Sequence, residues 1–174
     1  MARLIIFLRA INVGGHNVKM HDLRTMMNGY GFEAVETFIA SGNVIVDRDR
    51  RKPRTVESRI EAGLAADLGY PVAAFARTSA ELAEAVAAQP FSGAPGRYYV
   101  TFLKDEPAAE HADRLLALSS AAEELAVVGR EVHWLVREGS ESQLSATQAE
   151  WKPLGPGTTR NMTTVRKLAA KYPA

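Results

Sequence analysis

The chain contains no cysteine. Disulfides, thiolate metal sites and cysteine nucleophiles are therefore excluded, and the composition fits a reducing compartment. It also lacks a dominant charge: 21 basic and 20 acidic residues leave a formal net charge of +1, so the overall balance gives a nucleic-acid partner no support. No apolar run approaches the roughly 20 residues that span a bilayer. The early run from Arg3 to Leu8 is too short for a signal segment, and Arg9 and Asn12 close it without a small-residue cleavage site. We read the chain as cytoplasmic, with no membrane association. Neither G-x-x-x-x-G-K-S/T nor G-x-G-x-x-G occurs, and no cofactor is called for.

The 174 residues are 47% apolar and 24% charged, an ordinary balance for a globular protein. That length suits one domain or two small subdomains sharing a core, and it buries roughly 70% of the unfolded-chain surface without a metal or disulfide.

Arg3 to Leu8 reads as a buried central strand. A helix follows over about Lys19–Asn28, with Met20, Leu23, Met26 and Met27 on one face and Gly29 and Gly31 ending it. Strands are expected over about Ala34–Ala40 and Val44–Asp47, joined through Ser41-Gly42-Asn43. Pro53 opens a second helix, in which Val56, Ile60, Leu64 and Leu68 recur every fourth residue up to Gly69. Val72–Ala76 is a fourth strand, giving the ferredoxin-like β-α-β-β-α-β unit.

A connecting helix spans about Ala80–Gln89, capped by Thr78 or Ser79, and a glycine- and proline-bearing loop runs to Gly96. The second half repeats the pattern: a strand at Tyr98–Lys104, a helix from Pro107 to about Ser119, and a hairpin across Gly129-Arg130. Along Glu131–Arg137, Val132, Trp134 and Val136 alternate with polar residues, as in a half-solvated strand. Thr158 or Thr159 caps a last helix over about Arg160–Lys171. The expectation is thus an α+β protein: a ferredoxin-like subdomain at 1–77, a connector at 78–96, and a related β-α-β-β-α subdomain at 97–174 that lacks a closing strand.

The split topology gathers polar segments at one sheet edge. Arg9, Asn12, Gly14 and Gly15 follow the first strand, and Ser41 and Asn43 lie in the neighbouring hairpin. Arginine grips carboxylate or phosphate with two donors. Glycine lets backbone N–H groups approach a ligand, and a helix N-terminus favours an anion. A small anionic or phosphorylated ligand is the expected partner. Arg9 would pair the anion, while Asn12 and Asn43 would orient the ligand or lock the two loops together. Arg160 and Asn161 could complete the site. The same residues also fit a purely architectural role, with Gly14-Gly15 as a tight turn and Ser41-Gly42-Asn43 as a hairpin.

Leu8-Arg9-Ala10-Ile11-Asn12-Val13-Gly14-Gly15, Ser41-Gly42-Asn43-Val44 and Thr158-Thr159-Arg160-Asn161, with Tyr99–Leu103 between them, resemble the uncharacterised bacterial family called domain of unknown function 1697. The resemblance implies a two-part α+β fold with a ferredoxin-like first half, and no established activity. It adds weight to Arg9, Asn12, Gly14, Gly15, Ser41, Asn43, Arg160 and Asn161. The family's usual glycine after the arginine is Ala10 here, and its common tryptophan after the arginine-asparagine pair is Met162.

Other groupings carry less. His16 and His21 are five apart, whereas helical metal ligands prefer three or four, and no third ligand is evident. Ser41 near His16 does not form a G-x-S-x-G elbow. Arg48, Arg50, Arg51, Lys52 and Arg54 form a basic run that could touch phosphates, diluted by Asp47 and Asp49 and placed at the opposite sheet edge. Base stacking on the sheet would need exposed aromatics, and the first strand offers only Phe7. A nucleic-acid-binding module using the Arg48–Arg54 run and an enzyme using a histidine base stay open as alternatives, as does a subunit role with the Trp134 strand as a sheet edge. The oligomeric state is not legible.

Overall fold

A computed structural model of the chain describes residues 3–39, 42–47 and 51–174. The chain forms two compact units. Unit 1 is Met1–Ala83 with Lys171–Ala174, and unit 2 is Glu84–Ala170.

In unit 1 the apolar run Arg3–Leu8 forms β1 with the bounds its sequence predicts. It is followed by α1 (Met20–Gly29), β2 (Glu36–Thr37), β3 (Asn43–Asp47), α2 (Pro53–Leu68) and β4 (Ala74–Thr78). The sheet order is β2-β3-β1-β4 and every pair is antiparallel. Successive side chains on a strand point to opposite faces. Leu4, Ile6 and Leu8 therefore join Val44, Val46, Ala74 and Ala76 on the face that packs against Leu23, Met27, Val56, Ile60 and Leu64. Ile5, Phe7, Ile45 and Phe75 on the other face are buried as well, which is why these strands read as continuous apolar runs.

Pro53 sits in the first turn of α2, and Gly69 ends it in the left-handed region at φ 76°. The apolar face of α2 enters the core, and its carboxylates have a separate task. Glu57 and Glu61, one turn apart, accept the Ala76 and Ala74 N–H groups at 2.8 and 2.9 Å along the border strand β4. Thr78 and Glu81 then form a reciprocal cap that starts α3 (Ser79–Ala87), with Glu81 N donating to Thr78 Oγ1 and Thr78 N donating to Glu81 Oε2.

Two expectations shift here. The strand expected at Ala34–Ala40 is only two residues long, because Ala34 at φ 48° and Ile39 at φ 59° turn the backbone out of extended geometry on either side. The strand expected at Val72–Ala76 lies two residues later, at β4.

Unit 2 contains β5 (Gly96–Leu103), α4 (Ala109–Leu116), β6 (Glu123–Val128), β7 (Glu131–Arg137), a 3-10 helix at Ala149–Leu154, β8 (Gly157–Asn161) and α5 (Met162–Lys171). Its sheet order is β6-β7-β5-β8, again antiparallel throughout. In both units the first strand thus lies between the third and the fourth. Leu103, Leu115, Leu125, Val132, Trp151 and Leu154 form one core on one face. Glu123 is buried and accepts four hydrogen bonds, from Trp134 Nε1, Ser142 Oγ and the Gln143 and Leu144 amides, at 2.8, 2.5, 2.8 and 3.2 Å. Burial opposes its charge, but the donors outweigh burial and hold its pKa below the usual glutamate value.

Unit 2 corrects the sequence reading in three places. A closing strand exists: Gly157–Asn161 is β8, paired with β5, and not the head of a helix. Thr158 and Thr159 are β-branched and suit a strand, and the Thr159 hydroxyl meets that of Thr101 across the pair at 2.7 Å. The cap of α5 is consequently Asn161, whose Oδ1 accepts the Thr163 N–H at 2.8 Å, rather than Thr158 or Thr159. Third, β7 is neither half-solvated nor an edge. It runs between β6 and β5, and His133 is fully buried.

Candidate functional site

β1 ends at Leu8, where the chain leaves the sheet between two neighbours. The Leu8 amide donates to Gly42 O at 2.8 Å and the Arg9 amide to Ala73 O at 2.9 Å. The loop 9–19 is then fastened at several points. Asn12 Oδ1 accepts the Val18 N–H at 2.7 Å, Tyr70 donates its hydroxyl to Ile11 O at 2.9 Å, and His16 stacks on the Tyr70 ring at 3.7 Å. Ile11 itself is buried. Gly42 lies beneath it, so close that a Cβ there would be 3.0 Å from Ile11 Cγ2 and 3.1 Å from Leu8 Cβ. The post-β1 loop and the β2–β3 hairpin are thereby joined in one rim.

The expected site residues divide within this rim. Arg9 is exposed, and among the described residues no carboxylate pairs with it. Gly14 and Gly15 are exposed at φ 68° and 85°, with nothing within 4 Å of a Cβ at either position. Asn43 is fully buried, and its Nδ2 donates to Phe38 O at 3.0 Å across its own hairpin. Asn12 uses its carbonyl oxygen within its own loop. Both asparagines therefore hold backbone in place. Ser41 lies outside the described residues.

Three further features mark the rim. Ala10, at the position where the resembled family has glycine, adopts φ 57°. Val13 and Ile39, on the two joined loops, are 62% and 50% exposed despite being large and apolar. Among the described residues no side chain caps the N-terminus of α1 at Lys19.

Arg160 and Asn161 belong to unit 2 and are engaged there. Arg160 Nη1 donates to Thr158 Oγ1 at 2.9 Å and to Thr159 O at 3.0 Å, and burial pulls its pKa down to about 10. Asn161 caps α5. Of the basic run, Arg48 and Arg50 lie outside the described residues, Arg51 and Lys52 are exposed, and Arg54 approaches Glu57 at 3.7 Å. The register pairs Asp47, at the start of that run, with Arg3, the opposite end of β1 from Arg9. Phe7 is fully buried and offers no stacking surface.

The β5–β7 pairing supplies His133 with a partner, since Tyr98 Oη lies 2.6 Å from His133 Nδ1. Strand alternation places Tyr98 and His133 on one face once the register is known, but nothing local in either segment fixes that register.

The family model described as "Protein of unknown function (DUF1697)" matches residues 1–133. No curated protein matches the chain. Among solved structures, the conserved bacterial protein SP0830 from Streptococcus pneumoniae is similar at 19% identity and a TM-score of 0.78, covering 97% of each chain. At that identity the likeness speaks for the fold. Among the described residues, no helix is long and apolar enough to cross a membrane.

Proposed function

We propose, for a chain that belongs to the DUF1697 family of proteins of unknown function, that the rim at the end of β1 binds a small anionic ligand, phosphorylated ligands included. One observation carries this reading: an exposed guanidinium with no carboxylate partner among the described residues stands on a loop fastened at both ends. A cation held in place for folding would be expected to face a carboxylate, as Arg3 does with Glu36 and Asp47 at 2.7 Å each. Arg9 instead is available for a fork-shaped contact with carboxylate or phosphate oxygens. The open left-handed backbone at Gly14 and Gly15 lets a ligand approach main-chain donors. In this reading Asn12, Asn43 and Gly42 build the frame, and Arg160 and Asn161 serve unit 2.

The ferredoxin-like description of unit 1 belongs to the same proposal. The β-α-β-β-α-β succession and the β2-β3-β1-β4 order support it. A cytoplasmic location goes with it, in keeping with the absence of cysteine.

The test uses inorganic phosphate and thermal unfolding. Phosphate should raise the Tm of the wild-type chain, and Arg9→Ala should abolish that rise while leaving the phosphate-free Tm in place. A rise that persists in Arg9→Ala removes the rim from consideration. An equal fall of the phosphate-free Tm would assign Arg9 to architecture.

A further inference from the structure

Unit 2 holds a cleft that the rim does not involve. It has a volume of about 140 Å³ and is lined by Gln89, Phe91, Tyr98 and Arg166, with the segment 93–96 as one wall. A cavity of that size accommodates a molecule of roughly benzene dimensions. The wall is a fixed shape. Gln89 and Ser92 hold left-handed backbone at φ 34° and 51° although neither is glycine. Gly96 lies so close to β7 that a Cβ on it would meet Val136 O at 2.2 Å. Conformations this uncommon persist only where the surroundings impose them.

The chemistry of the lining has one sign. Arg166 is exposed, its guanidinium carbon is 5.8 Å from the centre of the Tyr98 ring, and no carboxylate among the described residues pairs with it. No acidic side chain lines the cleft. Phe91 meets Tyr98 edge to face at 5.4 Å and adds an apolar side.

Tyr98 is held by a partner in the sheet. Its hydroxyl is 2.6 Å from Nδ1 of the fully buried His133, and no described protein group lies within hydrogen-bond distance of His133 Nε2. Two proton arrangements fit. If Tyr98 donated to Nδ1, Nε2 would carry a buried N–H with no acceptor, and orphaned buried donors are the rarer defect. If Nδ1 carries the proton and donates to Tyr98 Oη, the unpaired atom is a lone pair, and the phenol proton is free to point elsewhere. Burial keeps the ring neutral by lowering the His133 pKa to about 4, and burial raises that of Tyr98 to about 12, so the phenol stays protonated.

We infer that this cleft binds a small monocarboxylate with an apolar body, its carboxylate held between the Tyr98 hydroxyl and the Arg166 guanidinium and its body against Phe91. A phenol proton and a guanidinium suit the two oxygens of one carboxylate. An anion polar on every side, such as phosphate, would leave oxygens facing the Phe91 ring without donors. His133 is a positioning residue, which fixes the direction in which Tyr98 donates.

The full-length chain titrated with benzoate, followed by amide and ring chemical shifts in NMR, tests this. Shifts should concentrate at Phe91, Tyr98 and Arg166. Arg166→Gln, a change at an exposed position, should weaken binding at least tenfold, and Tyr98→Phe about tenfold. Nitrogen shifts of the His133 ring should show the proton on Nδ1. Benzoate should bind Arg9→Ala as it binds the wild type, which keeps this result separate from the fate of the rim. The inference falls if benzoate perturbs none of these residues, if Arg166→Gln binds it with wild-type affinity, if phosphate displaces it at equal concentration, or if the His133 proton sits on Nε2.

Discussion

Replacing Ala10 with glycine should make the protein more stable. Ala10 is exposed, follows Arg9 directly and holds φ 57°. For an L-residue the left-handed region brings Cβ too close to the following carbonyl, at a cost of roughly 1–2 kcal/mol. Glycine has no Cβ and removes that term. It also widens the unfolded ensemble, which offsets about 0.4–1 kcal/mol of the benefit. The difference leaves a net gain of about 0.8 kcal/mol, or about 2–3 °C in Tm if the whole chain unfolds as one. Urea unfolding followed by far-UV circular dichroism measures it. Tryptophan fluorescence adds a second reading, because Trp134 and Trp151 are the only tryptophans and both lie in unit 2. A gain in the dichroism transition alone places the effect in unit 1, and a matching gain in both shows that the units unfold together. A loss of stability in Ala10→Gly would refute the reasoning, since it would mean that the alanine is not under backbone strain.

The converse change should be harmful: Gly42→Ala forces a left-handed alanine at φ 72° against Ile11 and Leu8, and should lower stability by roughly 2–3 kcal/mol in the same urea experiment. Glu123→Gln should reduce stability by about 2 kcal/mol at neutral pH, because each oxygen of the buried carboxylate accepts two of the four hydrogen bonds, and two donors then face an amide N–H₂ instead. The folded pKa of Glu123 lies below the unfolded one, so its contribution is complete above the usual glutamate range and is lost as pH falls through the lower folded value. The gap between the wild type and Glu123→Gln should therefore narrow in acid, and a gap that stays constant down to pH 2 would contradict this assignment.

Where local chemistry decides structure, the sequence was readable. The run Arg3–Leu8 needs no context to be a central strand, Pro53 and Gly69 bracket α2, Thr78 is one of the two caps expected for α3, and Gly129-Arg130 turns a hairpin. Where partners far along the chain decide, it was not. Gly157–Asn161 carries no apolar alternation and becomes a strand by pairing with β5, more than fifty residues earlier. His133 lies on what reads as a polar face, and its burial depends on both β7 neighbours. At the rim, Arg9, Gly14 and Gly15 were legible as candidates from residue type alone. That Asn43 turns inward was not, because a carboxamide serves a hairpin carbonyl and a ligand equally well until the fold chooses between them.

The carboxylates of α2 have a consequence for how unit 1 meets other chains. A sheet recruits strangers through border strands whose amides hang free. On one flank, Glu57 and Glu61 already occupy the Ala76 and Ala74 amides of β4, and on the other flank β2 is two residues long, too short to template a newcomer. Among its described residues, unit 1 thus offers little template for strand addition on either flank, while it presents a polar, glycine-rich rim to solvent.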